Sequence, residues 1–157
     1  MEASRPAGGA SPSAVDERAA ARGEDAILRD VLRSVRRIAV LGLKDGPDED
    51  SWRVSRYLQQ HGYTIVPVNP KLAATLGLRA FPTLAAAPPP LDLVDVFRAS
   101  LHVRGHVDEI LALSPRPKCV WLQLGVRDDE SARRLESAGI AVVQDRCIMV
   151  EHRRLLG

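Results

Sequence analysis

The sequence predicts an α/β fold, and three observations predict it. Five short β-rich runs alternate with segments of helical periodicity along the chain. The first run, Ile38 to Leu41, ends at Gly42, as a strand does where it turns into a loop and helix. Two later helical segments close at Gly62 and Gly139, the residue type favoured just past a helix end. Strands separated by helices need crossover connections, which make them parallel and cover both sheet faces. The expected architecture is therefore Rossmann-like: a doubly wound, mainly parallel five-stranded sheet with helices on both faces. Right-handed crossovers and the usual mononucleotide-binding half give an expected strand order of 3-2-1-4-5.

From Glu24, the residues Ala26, Ile27, Leu28, Val31, Leu32 and Val35 fall at helical spacing, so a helix precedes the first strand. Ser51 to Gln60 reads as the next helix, with Val54, Tyr57 and Leu58 on one face and Ser51 as its N-cap. "YTIVPV", Tyr63 to Val68, is the second strand and stops at Asn69-Pro70. "LDLVDVF", Leu91 to Phe97, is the third, followed by a helix from Leu101 to Leu113 with Val103, Val107, Ile110 and Leu111 inward. "KCVWLQLG", Lys118 to Gly125, is the fourth strand, with Trp121 expected in the core. Asp128 to Gly139 is a polar helix that starts on acids, as the helix dipole favours, and "IAVVQD", Ile140 to Asp145, is the fifth strand.

A chain of 157 residues suits one domain with one substantial core. Residues 1–22 are rich in Ala, Gly, Ser and Pro and hold no apolar stretch; they are expected to form a disordered tail, leaving 23–157 as the single domain. Glu2, Asp16 and Glu17 argue against a transit peptide. A net charge of +2 and sparse aromatics exclude a nucleic-acid partner. No apolar run approaches the ~18 residues of a membrane span. Cys119 and Cys147 lie far apart without a C-x-x-C pair, so neither a zinc site nor a disulfide framework is indicated, and a soluble protein of the reducing cytoplasm is expected. The four histidines share no face or metal spacing and are read as structural.

In open α/β sheets, ligands sit beyond the carboxyl ends of the strands. That rule selects Gly42, Leu43 and Lys44 after the first strand, with Ser51 and Arg53 at the following helix start. It selects Asn69 and Pro70 after the second strand, Phe97 and Arg98 after the third, Gln123 and Gly125 after the fourth, and Arg146 with Cys147 after the fifth. This rim lacks an Asp/Glu/His constellation for acid–base work, so no catalytic residue is assigned. NAD is disfavoured: Lys44 stands in the second glycine slot of G-x-G-x-x-G, and Asn69-Pro70 stands where an acid should bind the ribose. No Walker A motif is present either. Gln123 is a buried amide in need of a partner, which ligand or backbone could supply.

The blocks "VLGL", "SWRVSRYLQQHGYTIVPVNP", "FPTL", "DLVDVFR", "VWLQLG" and "DRCIMVEH" carry a family resemblance over Arg37 to His152. Together they resemble the small stand-alone CoA-binding proteins, whose Rossmann-like domain is related to the CoA-binding domain of succinyl-CoA synthetase. The resemblance implies non-catalytic binding of coenzyme A or a short acyl-CoA. By it, Gly42, Leu43 and Lys44 would face the phosphates and pantetheine, and Ser51 and Arg53 would hold an anion at the helix start. Asn69 and Pro70 would flank the adenine or ribose end, Phe97 and Arg98 the middle, and Gln123 and Gly125 the far wall. Two other readings stand beside it: a nucleotide-binding subunit of a CoA-ligase-like enzyme, and a CoA-linked redox regulator through Cys147 next to Arg146. One departure is Lys44 itself, where members commonly have serine, followed by Asp45, Asp48, Glu49 and Asp50. These acids are expected to face solvent or cap the helix.

Overall fold

The computed structural model describes residues 13–157. The first helix, α1 (Ala14–Ser34), starts well before Glu24, because Ser13 caps it by accepting from the Asp16 amide at 3.1 Å. Asp16 and Glu17 in its first turn and the alanines that follow favour that extension. Residues 14–22, expected as tail, are therefore helical though exposed, and residues 1–12 of that tail lie outside the described part. No described helix is long and apolar enough to cross a membrane.

The chain continues through β1 (Arg37–Leu41), α2 (Asp50–Gln60) and β2 (Thr64–Val68). A small antiparallel hairpin of β3 (Ala74–Thr75) and β4 (Leu78–Arg79) follows, which the sequence pattern did not reveal. Then come β5 (Leu93–Val96), α3 (Ser100–Leu111), β6 (Cys119–Leu122), α4 (Asp129–Ser137) and β7 (Ala141–Val143). The closing helix α5 (Ile148–Leu155) was also not anticipated.

The five long strands form one parallel sheet, with helices on both faces, as expected for a Rossmann-like fold. Its order is β2-β1-β5-β6-β7, which for the five runs read from the sequence is 2-1-3-4-5, not 3-2-1-4-5. The physical reason lies in the helix-free connection from Asn69 to Pro90. Its Leu84 and Ala87, with Leu91, pack into the same core layer as Val103, Val107, Ile110 and Leu135, so the chain passes over β1 on that face. A clamp then fixes β5 beside β1. The Asp92 carboxylate accepts from the amides of Arg36 and Arg37 at 2.8 and 2.9 Å. The Arg37 guanidinium donates to the carbonyls of Pro88 and Pro90, both at 2.8 Å. The point where chain direction reverses across the sheet therefore lies between β1 and β5.

Alternation along the strands builds two core layers. Ile38, Val40, Leu93, Cys119 and Trp121 face α1, α2 and α5, packing on Leu28, Leu32, Val54, Leu58 and Ile148. Ala39, Leu41, Val94, Val96, Val120 and Leu122 face α3 and α4. Trp121 is fully buried as expected, and its indole N–H donates to the Arg146 carbonyl at 2.8 Å, tying β6 to the approach to α5.

Candidate functional site

The reversal point opens a crevice at the carboxyl ends of β1 and β5. Gly42 makes it possible: its φ is +87°, and a Cβ there would overlap the Phe97 carbonyl oxygen, so only glycine lets the two strand ends lie this close. Its amide donates to the Val68 carbonyl at 2.9 Å. The following loop is held by side chains rather than by a ladder. The Lys44 amide donates to Ser51 Oγ at 3.0 Å, and Asn69 Nδ2 donates to the Leu43 carbonyl at 2.9 Å.

Two adjoining cavities fill the crevice. One of about 550 Å³ extends over the start of α2 toward α5, and one of about 280 Å³ extends toward Asn69, Pro70 and Lys71. Gly42, Lys44, Phe97 and Arg98 line both and form the saddle between them. Ser51, Arg53 and Gln123 line the larger cavity; Asn69 and Pro70 line the smaller. Nine of the twelve candidate residues thus meet in one place.

The other three do not. Leu43 is wholly buried in the α1–α2–α5 layer, because the turn after Gly42 points its side chain inward. Gly125 has φ +85° and its amide donates to the Asp145 carboxylate at 2.7 Å, a turn position outside both cavities. Arg146 lines neither cavity but a groove that adjoins the larger one across Leu124, Cys147 and Val150, and it is paired with Glu24 and, at 3.0 Å, with Glu151. Cys147 does line the larger cavity, yet the cation expected beside its thiol is engaged by those two carboxylates.

Charge is unevenly distributed around the saddle. Among the described residues, neither Lys44 Nζ nor the Arg98 guanidinium has a hydrogen-bond or ion-pair partner, and both are exposed. Arg53, by contrast, donates to the Pro47 carbonyl at 2.6 Å and pairs with Asp50. The residue before α2 is Glu49, not the expected Ser51, whose hydroxyl serves the Lys44 amide instead. No protein acceptor meets the amides of Asp50, Ser51 and Trp52 among the described residues, so the positive end of α2 opens on the cavity. The acids divide: Asp45 turns away to accept from the Thr75 hydroxyl at 2.6 Å, whereas Asp48, Glu49 and Asp50 line the larger cavity rather than facing only solvent. Toward α5 the wall becomes apolar, with Leu124, Val126, Met149 and Val150.

Behind the wall lies a group that the sequence reading passed over. Asp95, in the middle of β5, is fully buried, and burial pushes its carboxyl up to about 7. Its Oδ1 accepts from Gln123 Nε2 at 2.8 Å, while Oδ2 has no partner. The signal was present in "DLVDVF": a carboxylate at the centre of an apolar strand is rarely left there without a role.

Known proteins share this arrangement of elements. The Bacillus subtilis (strain 168) uncharacterized protein YneT is 38% identical over 125 residues, spanning 80% of this chain and 91% of its own. A solved structure from Thermus thermophilus, cell-free ID.343, is 42% identical with a TM-score of 0.79, covering 84% of this chain and 98% of that one. A dinucleotide-forming acetyl-coenzyme A synthetase 1 from Ca. Korarchaeum cryptofilum, in complex with phosphate and ADP, shares the fold at 23% identity and a TM-score of 0.61, over 73% of this chain and 27% of that one. Residues 36–153 match the CoA binding domain family, and the chain belongs to that family.

Proposed function

We propose that the chain binds coenzyme A or a short acyl-CoA in the crevice at the carboxyl ends of its parallel strands, and that it catalyses no reaction by itself. The observation that carries this is the polarity of the crevice. Two cations unpaired among the described residues stand on the saddle beside the open start of α2, and from there the larger cavity runs to an apolar wall at α5. A CoA molecule is built with the same polarity: phosphates at one end and a largely uncharged arm at the other. Lys44, Arg98 and the amides of Asp50, Ser51 and Trp52 would hold the phosphates. Asn69, Pro70 and Lys71 would flank the nucleoside, and Phe97, Gln123, Val126 and Met149 would line the arm. Bound CoA supplies a thiol that carries acyl groups as thioesters. The chain's own residues bind and orient; the carboxylates that line the larger cavity sit beside the cationic end, and Asp95 is sealed beneath Gln123. A cytoplasmic location, where CoA and reduced thiols coexist, agrees with the two free cysteines.

Isothermal titration with CoA, acetyl-CoA, NAD and ATP tests the proposal. Heat with a CoA species but not with NAD is expected, and silence with both CoA species refutes it. Lys44→Ala and Arg98→Ala should each weaken CoA about tenfold, the scale of a hydrogen bond to a charged group, with the effect shrinking at high salt.

A further inference from the structure

The buried pair of Asp95 and Gln123 points to a recognition role that the charged end of the crevice does not supply. Asp95 stands in mid-sheet between Val40 on β1 and Trp121 on β6. Its Oδ1 accepts from Gln123 Nε2, and that bond fixes which way the amide faces: nitrogen inward, oxygen away from the carboxylate. An ionised Asp95 requires this orientation, and a protonated one is compatible with it when the proton sits on the unpartnered Oδ2.

Gln123 is only 4% exposed and lines the larger cavity. Among the described residues, the sealed side-chain oxygens without a partner are Ser55 Oγ and Asp95 Oδ2. Gln123 Oε1 meets no described donor and is not one of these, so it touches the open cavity. A nearly buried amide oxygen held in one orientation needs a donor, and among the described residues none of the donor-bearing side chains that line the same cavity, Lys44, Ser51, Arg53, Arg98 and Cys147, reaches it.

We propose that Gln123 Oε1 accepts a hydrogen bond from an amide N–H on the uncharged arm of the ligand, and that Asp95 is the positioning residue that aims it. This rests on the reading of the crevice as a CoA site, where the arm is pantetheine and carries secondary amides. The pair then reads the arm, whereas Lys44 and Arg98 read the phosphates. Discrimination between CoA and its arm-less nucleotide, 3′-phospho-ADP, is the property it controls.

Calorimetric titration of the full chain with both ligands separates the roles. Gln123→Leu, and Gln123→Met as a control for side-chain length, should weaken CoA about tenfold while leaving 3′-phospho-ADP unchanged. Asp95→Leu should lose part of the same discrimination by freeing the amide. Asp95→Asn, which keeps an oxygen acceptor for Nε2, should retain it. If the wild-type chain binds neither ligand, the CoA reading itself falls and the proposal with it. If the wild-type chain binds CoA but the Gln123 variants lose both ligands equally, or neither, the proposal alone is overturned. Equal discrimination in Asp95→Leu and Asp95→Asn removes Asp95 from it.

Discussion

Asp95 couples recognition to stability at the scale of a single residue. Its carboxyl sits at about 7 in the folded chain against an ordinary value of 3.8, because burial penalises its charge and Gln123 offsets only part of that penalty. A carboxyl raised on folding binds its proton more tightly in the folded state. Its contribution is therefore full below about pH 4 and is lost as pH rises toward 7. At ~1.4 kcal/mol per unit, the loss is on the order of 2–4 kcal/mol once a discount is made for relaxation around the charge. Asp95→Asn removes the titration, so urea denaturation should find the variant more stable than wild type at pH 8, with the gap narrowing by pH 5 and closing near pH 4. His152 titrates in the opposite sense: burial and His61 lower its value, so it costs stability as the solution acidifies. Taking the difference between variant and wild type isolates Asp95. A gap that does not change with pH contradicts the assignment. Asp95 escaped the sequence reading because a strand reading tolerates one polar residue among apolar ones. What makes it unusual is the burial of both faces of the sheet, a tertiary fact.

At the scale of elements, the β1–α2 connection decides the affinity of the crevice. Its position was legible, because a strand ending in glycine before a helix leaves the chain at the carboxyl edge of a sheet. Its internal bonding was not legible, since Ser51 as a helix cap and Ser51 as an anchor for the Lys44 amide look the same in sequence. Strand order failed for a related reason: the path of residues 69–90 over β1 depends on Leu84 and Ala87 finding the α3–α4 layer and on the Arg37–Asp92 clamp. The correction moves the reversal point to β1 and β5, and this is why Gly42 and Phe97 meet. Three carboxylates of this connection line the larger cavity, close to the cationic end proposed for phosphates. Asp50 is partly neutralised by Arg53, leaving Asp48 and Glu49 as the repulsive groups. Asp48→Asn combined with Glu49→Gln should therefore tighten CoA about threefold to tenfold at low salt, since exposed charges a few ångströms apart interact by about 1 kcal/mol in water. The gain should fade as salt shortens the Debye length. Unchanged affinity in titrations at low salt places those carboxylates away from the bound phosphates.

At the scale of the whole molecule, α1 and α5 connect the outer layer to the crevice wall. α5 and its approach supply Cys147, Met149 and Val150 to the cavity, while on its other side Glu151 lies between Arg146 at 3.0 Å and Arg154 at 2.7 Å. Those arginines also reach α1, Arg146 to Glu24 and Arg154 to Asp25. Leu28, Leu32 and Val35 then bury the end of α1 and its cap in the core. Among the described residues the helix is thus engaged only from about Glu24 onward, although it begins at Ala14 and its first nine residues, 14–22, are exposed. A domain of residues 23–157 is the proposal that this division puts to the test. A chain beginning at Gly23 should melt within ~2 °C of the full chain by circular dichroism, because surface changes away from buried features shift stability by about 0.5 kcal/mol or less. It should also bind CoA unchanged. A chain beginning at Arg36 loses Leu28, Leu32 and Val35, each worth roughly 1.5–3 kcal/mol of burial, against a total of about 5–15 kcal/mol for a domain. It also leaves Arg146 and Arg154 without Glu24 and Asp25, so α5 loses its outer support. That chain should lose its cooperative transition and its CoA binding together. If it melts like the full chain and still binds, α1 is not part of the folding unit, and the crevice wall is held by β6 and β7 alone.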